Sequence, residues 1–405
     1  MRLARSAIPG PRGSLALCLV ACAILVAQSA RAADRAQRAP DIEAPEAILV
    51  ETDLGKTVFA FHARREAAIA SITKLMTAYV TLEYEPLTRV LVEQPYAAGP
   101  GESLAHLPAG GRYSVADLLR AMLLPSGNDV AHSLAIDIGG TVPHFIALMN
   151  KAARHLGLGE THYATPVGLD TPGNYSTARN LAKLAEDLLR DTFFAAVVRE
   201  RTAYLPGGVE VTNHEGYLYA EYPFLVGVKS GHTGAAGYCF VGAASWHGVH
   251  LISVVLGDPT QEQRDDDTLS LLRYGLALFH HVRFAVKGRA YQEVPVNGSS
   301  QPVALVAERS GGLVVARNET LDVSFAGVPI DLQGPLAAGT PEGTLDVTEH
   351  GQLALSVPLV TAAAVAAPAP SSAALYGVAA PVLVILAGCS LMAMRRSSRR
   401  RGARA

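Results

Sequence analysis

The spacing of apolar residues along the chain changes from a period of two to a helical period and back again. Residues 46–61 alternate around the turn at Asp53–Gly55, which predicts a hairpin. Helical spacing then dominates between about 75 and 200. Strands are predicted next, at 225–233, 238–245 and 249–256, followed by a helix over about 262–280. This order predicts an α+β domain over 41–282, an antiparallel sheet flanked by helices with an inserted helical subdomain.

The pattern changes again at about residue 283. Short alternating runs appear there, punctuated by glycine and proline, and they predict a small all-β domain over 283–363. Residues 364–372, rich in alanine and proline, are predicted to be a linker. The chain contains no internal repeat.

The first 32 residues have the pattern of an export signal. Arg2, Arg5 and Arg12 precede an uncharged stretch over 14–27, and Ala30-Arg31-Ala32 supplies small residues at a cleavage position. The alternative is a lipoprotein-type signal ending at Cys22. The apolar run continues past this cysteine, which argues against the alternative.

A second apolar segment lies near the other end of the chain. Residues 373–394 carry no charge and are long enough to cross a bilayer as a helix. Six arginines follow in 395–405, and clustered arginine remains on the cytoplasmic side. The sequence predicts a single-pass membrane protein whose body is extracytoplasmic. The alternative is a buried core helix, and Pro381 argues against a straight span.

Charge and cysteine content agree with an exported body. The 34 basic residues include four in 1–32 and six after 394, so 24 remain against 36 acids, a net charge of −12. Such a surface is unsuited to nucleic acid. Cys239 is the one cysteine outside the two terminal segments, which excludes an intramolecular disulfide in the body.

The first candidate motif joins Ser71 and Lys74. Residues three apart on a helix share a face. A serine hydroxyl is a weak nucleophile until a base takes its proton, and a lysine with a lowered pKa can be that base. The motif by itself is equally compatible with an ordinary helix start and a solvated lysine.

The second motif is Ser126-Gly127-Asn128, in a predicted turn between helices. The hydroxyl of Ser126 is suited to relaying a proton to a leaving amine, and the amide of Asn128 to bonding both a catalytic side chain and a substrate carbonyl. A plain Pro-Ser-Gly-Asn turn is the alternative.

The third motif is Lys229-Ser230-Gly231-His232-Thr233, on a predicted strand. Lys229 offers a positive charge for a substrate carboxylate, Ser230 and Thr233 offer hydroxyls, and Gly231 permits close approach of another backbone. The backbone N–H groups of His232 and Ser71 are the expected oxyanion donors. The alternative to a binding role is structural: lysine on an exposed edge strand prevents that strand from pairing with another chain. No histidine shows metal-ligand spacing. A mechanism that uses serine and lysine side chains needs no metal or organic cofactor, so none is expected.

Together and in this order, the three motifs resemble those of the penicillin-interacting serine enzymes. Residues 227–244, 125–131 and 165–178 are similar to segments of the low-molecular-mass penicillin-binding proteins, the serine-type D-alanyl-D-alanine carboxypeptidases of peptidase family S11. Gly334-Pro335, Gly339 and Pro358–Val360 extend the resemblance to the family's small β domain, so that it covers about 41–363.

The resemblance implies a β-lactamase/transpeptidase-like fold and a serine mechanism. It implies that Ser71 forms an acyl-enzyme with Lys74 as base, that Ser126 and Asn128 complete the proton network, and that Lys229 holds the substrate carboxylate. The implied substrate is a peptidoglycan stem peptide ending in D-Ala-D-Ala, with β-lactams as inhibitors. Two departures are Ile69, where the family usually has proline, and Ser230, where it usually has threonine.

Several rivals remain open from the sequence. A class A β-lactamase shares the motifs, but its Glu-x-x-Leu-Asn motif is absent between the second and third motifs. A transpeptidase differs only in the acceptor of the acyl group. A non-catalytic receptor that binds wall peptide or a β-lactam and signals across the membrane is a further alternative, against which the predicted cytoplasmic tail has only about ten residues and no domain. A surface adhesion protein would explain the anchor and the β domain, but not three ordered polar motifs.

Overall fold

The computed structural model describes residues 38–367, which form two compact units. The first unit extends to His281 and includes Val314–Arg317, and the second begins at Val282. This division lies one residue from the boundary expected at 282/283. The predicted signal (1–32), span (373–394) and basic tail (395–405) lie outside the described residues.

A five-stranded antiparallel sheet is the centre of the first unit. Its strand order is β2-β1-β9-β8-β7. The strands are β1 (Glu46–Glu51), β2 (Lys56–Phe61), β7 (Leu225–Thr233), β8 (Gly237–Trp246) and β9 (Val249–Asp258). The predicted hairpin and the three predicted strands are therefore confirmed, and β7 is an edge strand.

Helices cover both faces of this sheet. Along β1, Ile48 faces one hydrophobic cluster, whereas Ala47 and Leu49 face another, because alternate side chains of a strand point to opposite faces. A sheet buried on both sides explains the nearly continuous apolar run of β9.

Eight α-helices are described. They are α1 (Lys74–Tyr84), α2 (Val115–Leu123), α3 (Asn128–Gly139), α4 (Val142–His155), α5 (Ala178–Leu189), α6 (Thr192–Val197), α7 (Gly216–Glu221) and α8 (Gln261–Leu278). Four short strands form two further antiparallel pairs: β3 (Val90–Val92) with β4 (Arg112–Ser114), and β5 (Thr202–Leu205) with β6 (Val209–Thr212). The helical subdomain predicted between strands is thus present.

Two predicted helix boundaries differ from the structure. Helix α8 ends at Leu278 instead of His280, because Phe279 adopts an extended backbone (φ −116°, ψ 159°) and places its ring in the core. The helical signal near Ser71 begins as a 3₁₀ turn over Ala70–Thr73, and the α-helix starts only at Lys74.

The second unit contains strands and no helix among its described residues. Its five-stranded antiparallel sheet has the order β11-β12-β16-β15-β14. These strands are β11 (Ala290–Val294), β12 (Val303–Ala307), β14 (Leu321–Ala326), β15 (Pro341–Glu349) and β16 (Gln352–Thr361). Strands β10 (Phe279–Ala285) and β13 (Gly311–Ala316) each contain residues of both units. Over residues 38–367, none of the helices is both long and apolar enough to span a bilayer.

Candidate active site

Ser71 lies in the 3₁₀ turn that leads into α1. With three residues per turn, positions i and i+3 are aligned along such a helix, and the Nζ atom of Lys74 lies 2.9 Å from the Oγ atom of Ser71. The preceding residue, Ala70, has a left-handed backbone (φ +46°), a conformation that costs free energy for a residue with a β-carbon. The local backbone therefore fixes the serine in position at a cost in strain.

The ammonium group of Lys74 is fully buried and has two further contacts. Its Nζ atom donates to Asn128 Oδ1 at 2.6 Å and to the Val167 carbonyl at 2.8 Å. Both partners only accept hydrogen bonds, so they must take N–H groups of the lysine. When Lys74 is neutral, its lone pair is then directed at the Ser71 hydroxyl, the one contact that is able to donate.

The surroundings of Lys74 favour this neutral form. Burial lowers the pKa of Lys74 well below its usual value, and the positive charge of Lys229 lowers it further. Glu102 and Asp129 act in the opposite direction. The amine is therefore available as a base at a much lower pH than that of an ordinary lysine.

The second motif lies at the start of α3, as predicted for a turn between helices. The backbone N–H of Asn128 donates to the Ser103 carbonyl at 2.8 Å, which fixes the start of the helix. Ser126 has a left-handed backbone (φ +62°), and its buried Oγ atom has no hydrogen-bond partner among the described residues. A buried hydroxyl without a partner destabilises the fold, which is consistent with a role in chemistry.

The third motif lies on the edge strand β7, beside Ser71. A β-carbon built on Gly231 would be 2.8 Å from the Ser71 amide nitrogen. Only glycine therefore allows the strand to approach the 3₁₀ turn this closely. Lys74 and Lys229 also lie in a common electrostatic environment, since the charge of Lys229 lowers the pKa of Lys74.

Lys229 is buried, and its Nζ atom donates to the Ser230 carbonyl at 2.9 Å. Burial lowers the pKa of Lys229 to about 8, against the charge of Glu215, which raises it. Glu215 is itself paired with the buried Arg264, whose Nη2 lies 2.9 Å from Oε2 of the glutamate. No carboxylate of the described residues lies within ion-pair distance of Lys229, which leaves its charge free for an anion.

The other predicted residues of β7 lie in different surroundings. Ser230 is buried, with 6% of its surface exposed. His232 is exposed, and its ring stacks on that of Tyr238 with centroids 4.0 Å apart. The Oγ1 atom of Thr233 accepts the Ala236 N–H at 3.1 Å, so this hydroxyl stabilises the turn after the strand.

Sequence reasoning missed two parts of this site. The Val167 carbonyl carries no side-chain signal, although the segment 165–178 had been noted for its family resemblance. Glu102 lies 26 residues before Asn128, yet its Oε2 accepts the Asn128 Nδ2–H at 2.7 Å. Its nearest sequence signal is the Gly-rich turn 99–101, which does not indicate where the acid points.

A group of three potential metal ligands lies in the second unit. Glu319, Glu349 and His350 place one donor atom each within 4.8 Å of one another. Such surface acids are common without a metal ion, and none of these residues belongs to the three motifs.

Comparison with known proteins decides the family. The sequence profile of the peptidase S11 family, described as D-alanyl-D-alanine carboxypeptidase, matches residues 33–260. This chain belongs to the peptidase S11 family. The S11 enzyme is 30% identical to the D-alanyl-D-alanine carboxypeptidase DacC of Escherichia coli over 350 residues, 83% of this chain and 88% of the relative.

Solved structures extend this similarity to the fold of the S11 enzyme. Penicillin-binding protein 5 from Haemophilus influenzae aligns with a TM-score of 0.59 and 30% identity, covering 81% of this chain and 98% of that one. The Streptomyces K15 DD-transpeptidase aligns with a TM-score of 0.56 and 32% identity, covering 60% of this chain and all of the other. The resemblance expected from the motifs, the enzyme class and the mixed α/β fold are confirmed.

Proposed function

We propose that this S11 enzyme removes the terminal D-alanine from peptidoglycan stem pentapeptides through an acyl-enzyme on Ser71. One observation supports this most directly. The Nζ atom of Lys74 lies 2.9 Å from the Ser71 Oγ atom, and its other two contacts are pure acceptors. This geometry fits a neutral lysine that takes the proton of the serine as it attacks a carbonyl.

In the proposed acylation, Ser71 Oγ bonds to the carbonyl carbon of the penultimate D-alanine, and its proton passes to Lys74. The backbone N–H groups of Ser71 and His232 are proposed to stabilise the oxyanion, an effect worth about 3–4 kcal/mol per donor in studied enzymes. The close approach of Gly231 to the Ser71 nitrogen supports this assignment, because it brings the strand next to the nucleophile's own amide.

Collapse of the tetrahedral intermediate breaks the peptide bond, and the leaving nitrogen of D-alanine requires a proton. We assign its delivery to Ser126, whose buried hydroxyl has no partner among the described residues. Ser126 is in turn reprotonated by the proton that Lys74 took from Ser71. The Asn128 amide contacts Lys74 directly and holds its amine in place.

The terminal carboxylate of the substrate is proposed to bind at the Lys229 end of β7. Lys229 supplies a buried positive charge, Ser230 a buried neighbouring hydroxyl and Thr233 a hydroxyl further along the strand. A charge-assisted hydrogen bond at such a site selects for a free C-terminus. The peptidase would therefore act on the end of a stem peptide rather than within it.

Water then hydrolyses the ester on Ser71, and the reaction requires no metal or organic cofactor. A β-lactam acylates the same serine and is released slowly, which makes it an inhibitor.

A second candidate function is transpeptidation, in which an amine replaces the water. The structural similarity to the Streptomyces K15 DD-transpeptidase favours this alternative.

We also propose that the enzyme is anchored in the cell membrane by residues 373–394, with its catalytic domain on the extracytoplasmic side. The basic residues of 395–405 and the signal-like pattern of 1–32 support this orientation. The test is cell fractionation of the full chain and of a chain truncated after residue 372. Release of the truncated chain alone into the soluble fraction is expected, and equal membrane retention of both would contradict the proposal.

The activity is tested by incubating the full chain with a peptide ending in Lys-D-Ala-D-Ala and measuring free D-alanine. Ser71→Ala should release none, while Ser299→Ala, in an exposed turn of the second unit, should match the wild type. If the wild type released no D-alanine, the carboxypeptidase assignment would be wrong. An amine-containing assay would then show whether the acyl group goes to an amine instead.

A further inference from the structure

We propose that Glu102 is a positioning residue of this active site, whose carboxylate orients the Asn128 amide and places a negative charge beside the base Lys74. The proposal rests on the proposed serine mechanism. Glu102 lies outside the three motifs, and its position is defined by contacts that only the tertiary structure forms.

Three hydrogen bonds hold the carboxylate of Glu102 in place. Its Oε2 atom accepts from Asn128 Nδ2 at 2.7 Å and from the Tyr96 hydroxyl at 2.5 Å, and its Oε1 atom accepts from the Gly99 N–H at 2.8 Å. Hydrogen bonds to an ionised acceptor are the stronger class. The side chain is therefore fixed by both local backbone and side-chain donors.

The position of this carboxylate determines which way the Asn128 amide points. An ionised carboxylate accepts and does not donate, so the NH₂ end of Asn128 must face Glu102. The Oδ1 end then faces Lys74 Nζ, at 2.6 Å. The reverse orientation would direct N–H groups of Asn128 at those of Lys74 and disrupt the alignment of the lone pair with Ser71.

Glu102 also acts through its charge. Its negative charge raises the pKa of Lys74, as does that of Asp129, against burial and the positive charge of Lys229. His214 lies in the same field: burial lowers its pKa, and the charges of Lys229 and Lys74 lower it further, against that of Glu215. Burial alone would raise the pKa of Glu102, but hydrogen bonds from Tyr96 and Asn128 hold it below its usual value. Glu102 therefore remains ionised while Lys74 changes its protonation state.

The two contributions are separable by two substitutions. Glu102→Gln removes the charge but keeps an oxygen that is able to accept from Asn128, whereas Glu102→Ala removes both. The measurement is the rate of acylation of the full chain by a fluorescent penicillin, as a function of pH. Glu186→Gln, which removes a half-buried acid paired with the exposed Arg190, is the matched control.

For Glu102→Gln, we expect the rising limb of the pH profile to move to lower pH, because Lys74 loses a charge that stabilises its protonated form. The pH at half of the plateau rate should fall by about half a unit, which is about threefold in rate on the rising limb. For Glu102→Ala, the plateau rate should also fall about ten- to hundredfold, because Asn128 is no longer oriented. Glu186→Gln should leave both quantities unchanged.

Thermal unfolding of each variant establishes that it is folded. If both Glu102 variants kept the wild-type rate and profile, or lost rate equally at every pH without a shift, the proposal would be overturned. A shift to higher pH in Glu102→Gln would equally contradict it. Penicillin acylation is measured separately from peptide cleavage. An enzyme that is acylated but releases no D-alanine would therefore refute the proposed function, while the effect of Glu102 on acylation could still be measured.

Discussion

Gly231 and Ser71 approach each other so closely that no side chain fits between the edge strand and the nucleophile. A β-carbon on Gly231 would lie 2.8 Å from the Ser71 nitrogen and 3.0 Å from the Ala70 β-carbon. Both of these neighbours belong to a turn whose backbone is already strained at Ala70. The distance between strand and turn therefore depends directly on the absence of a side chain at this position.

Gly231→Ala is expected to push the strand away from the nucleophile. We expect the rate of D-alanine release to fall at least about tenfold, with a loss of about 1–3 kcal/mol in the free energy of unfolding from overpacking. The matched control is Gly234→Ala, since a β-carbon there meets no atom within 4 Å. The measurements are peptide kinetics and urea unfolding, and equal behaviour of the two variants would contradict the steric argument.

The activity is expected to depend on pH through two lysines. Lys74 must be neutral to act as a base. Because burial lowers its pKa, the rising limb of the pH–rate profile should lie well below the pKa of an ordinary lysine. Lys229 must be protonated to hold the carboxylate, and its pKa of about 8 places the falling limb near that pH. A bell-shaped profile of kcat/KM for the peptide is the expected result.

Lys229→Arg tests the assignment of the falling limb. Arginine stays protonated throughout the accessible range, so the decrease near pH 8 should disappear even if the maximal rate is lower. Lys151→Arg, in helix α4, provides a control that should retain the full bell. A Lys229→Arg profile that still fell at the same pH would assign this limb to another group.

Ser126→Ala should separate stability from activity. The buried hydroxyl has no partner among the described residues, so its removal is expected to leave the melting temperature unchanged or higher. The rate of D-alanine release should nevertheless fall about 10²–10⁴-fold, the range for loss of a group that transfers a proton. A variant that lost stability and activity together would indicate a structural role for this serine.

The buried ion pair of Arg264 with Glu215 is expected to contribute more to the stability of the fold than the exposed ion pairs do. The side chain of Arg264 is 4% exposed and that of Glu215 6%, so Arg264→Met leaves a buried carboxylate without its main partner. We expect a loss of about 3–5 kcal/mol in the free energy of unfolding. Arg190→Met, which breaks a pair whose arginine is 69% exposed, should cost less than about 1 kcal/mol.

The double variant Arg264→Met with Glu215→Leu checks the cause of that loss. Because it removes both charges, it should recover part of the stability lost in Arg264→Met. Urea unfolding of the two single variants and the double variant supplies the measurement. A double variant less stable than either single one would show that packing, including the contact of Arg264 with the Phe240 ring, dominates over charge.

Most of the first unit's framework was predictable from local patterns. The strand at 249–256 was predicted because a strand buried on both faces is a nearly continuous apolar run, and this run is visible in the sequence. The end of α8 was not predicted, because the apolar spacing continues through Phe279, whereas the structure buries that ring from an extended backbone. The 3₁₀ turn at Ser71 and the start of the α-helix at Lys74 were not predicted either.

The sequence alone determined which residues are candidates for the reaction, because a nucleophile, a base and a cation must be particular side chains at particular spacings. Ser71, Lys74, Ser126, Asn128 and Lys229 were all predicted from three short motifs. The tertiary structure alone decided what surrounds Lys74: the Val167 carbonyl, the oriented Asn128 amide and the charge of Glu102. These contacts join residues 26 to 93 positions apart, and it is burial, not composition, that lowers the pKa of the lysine.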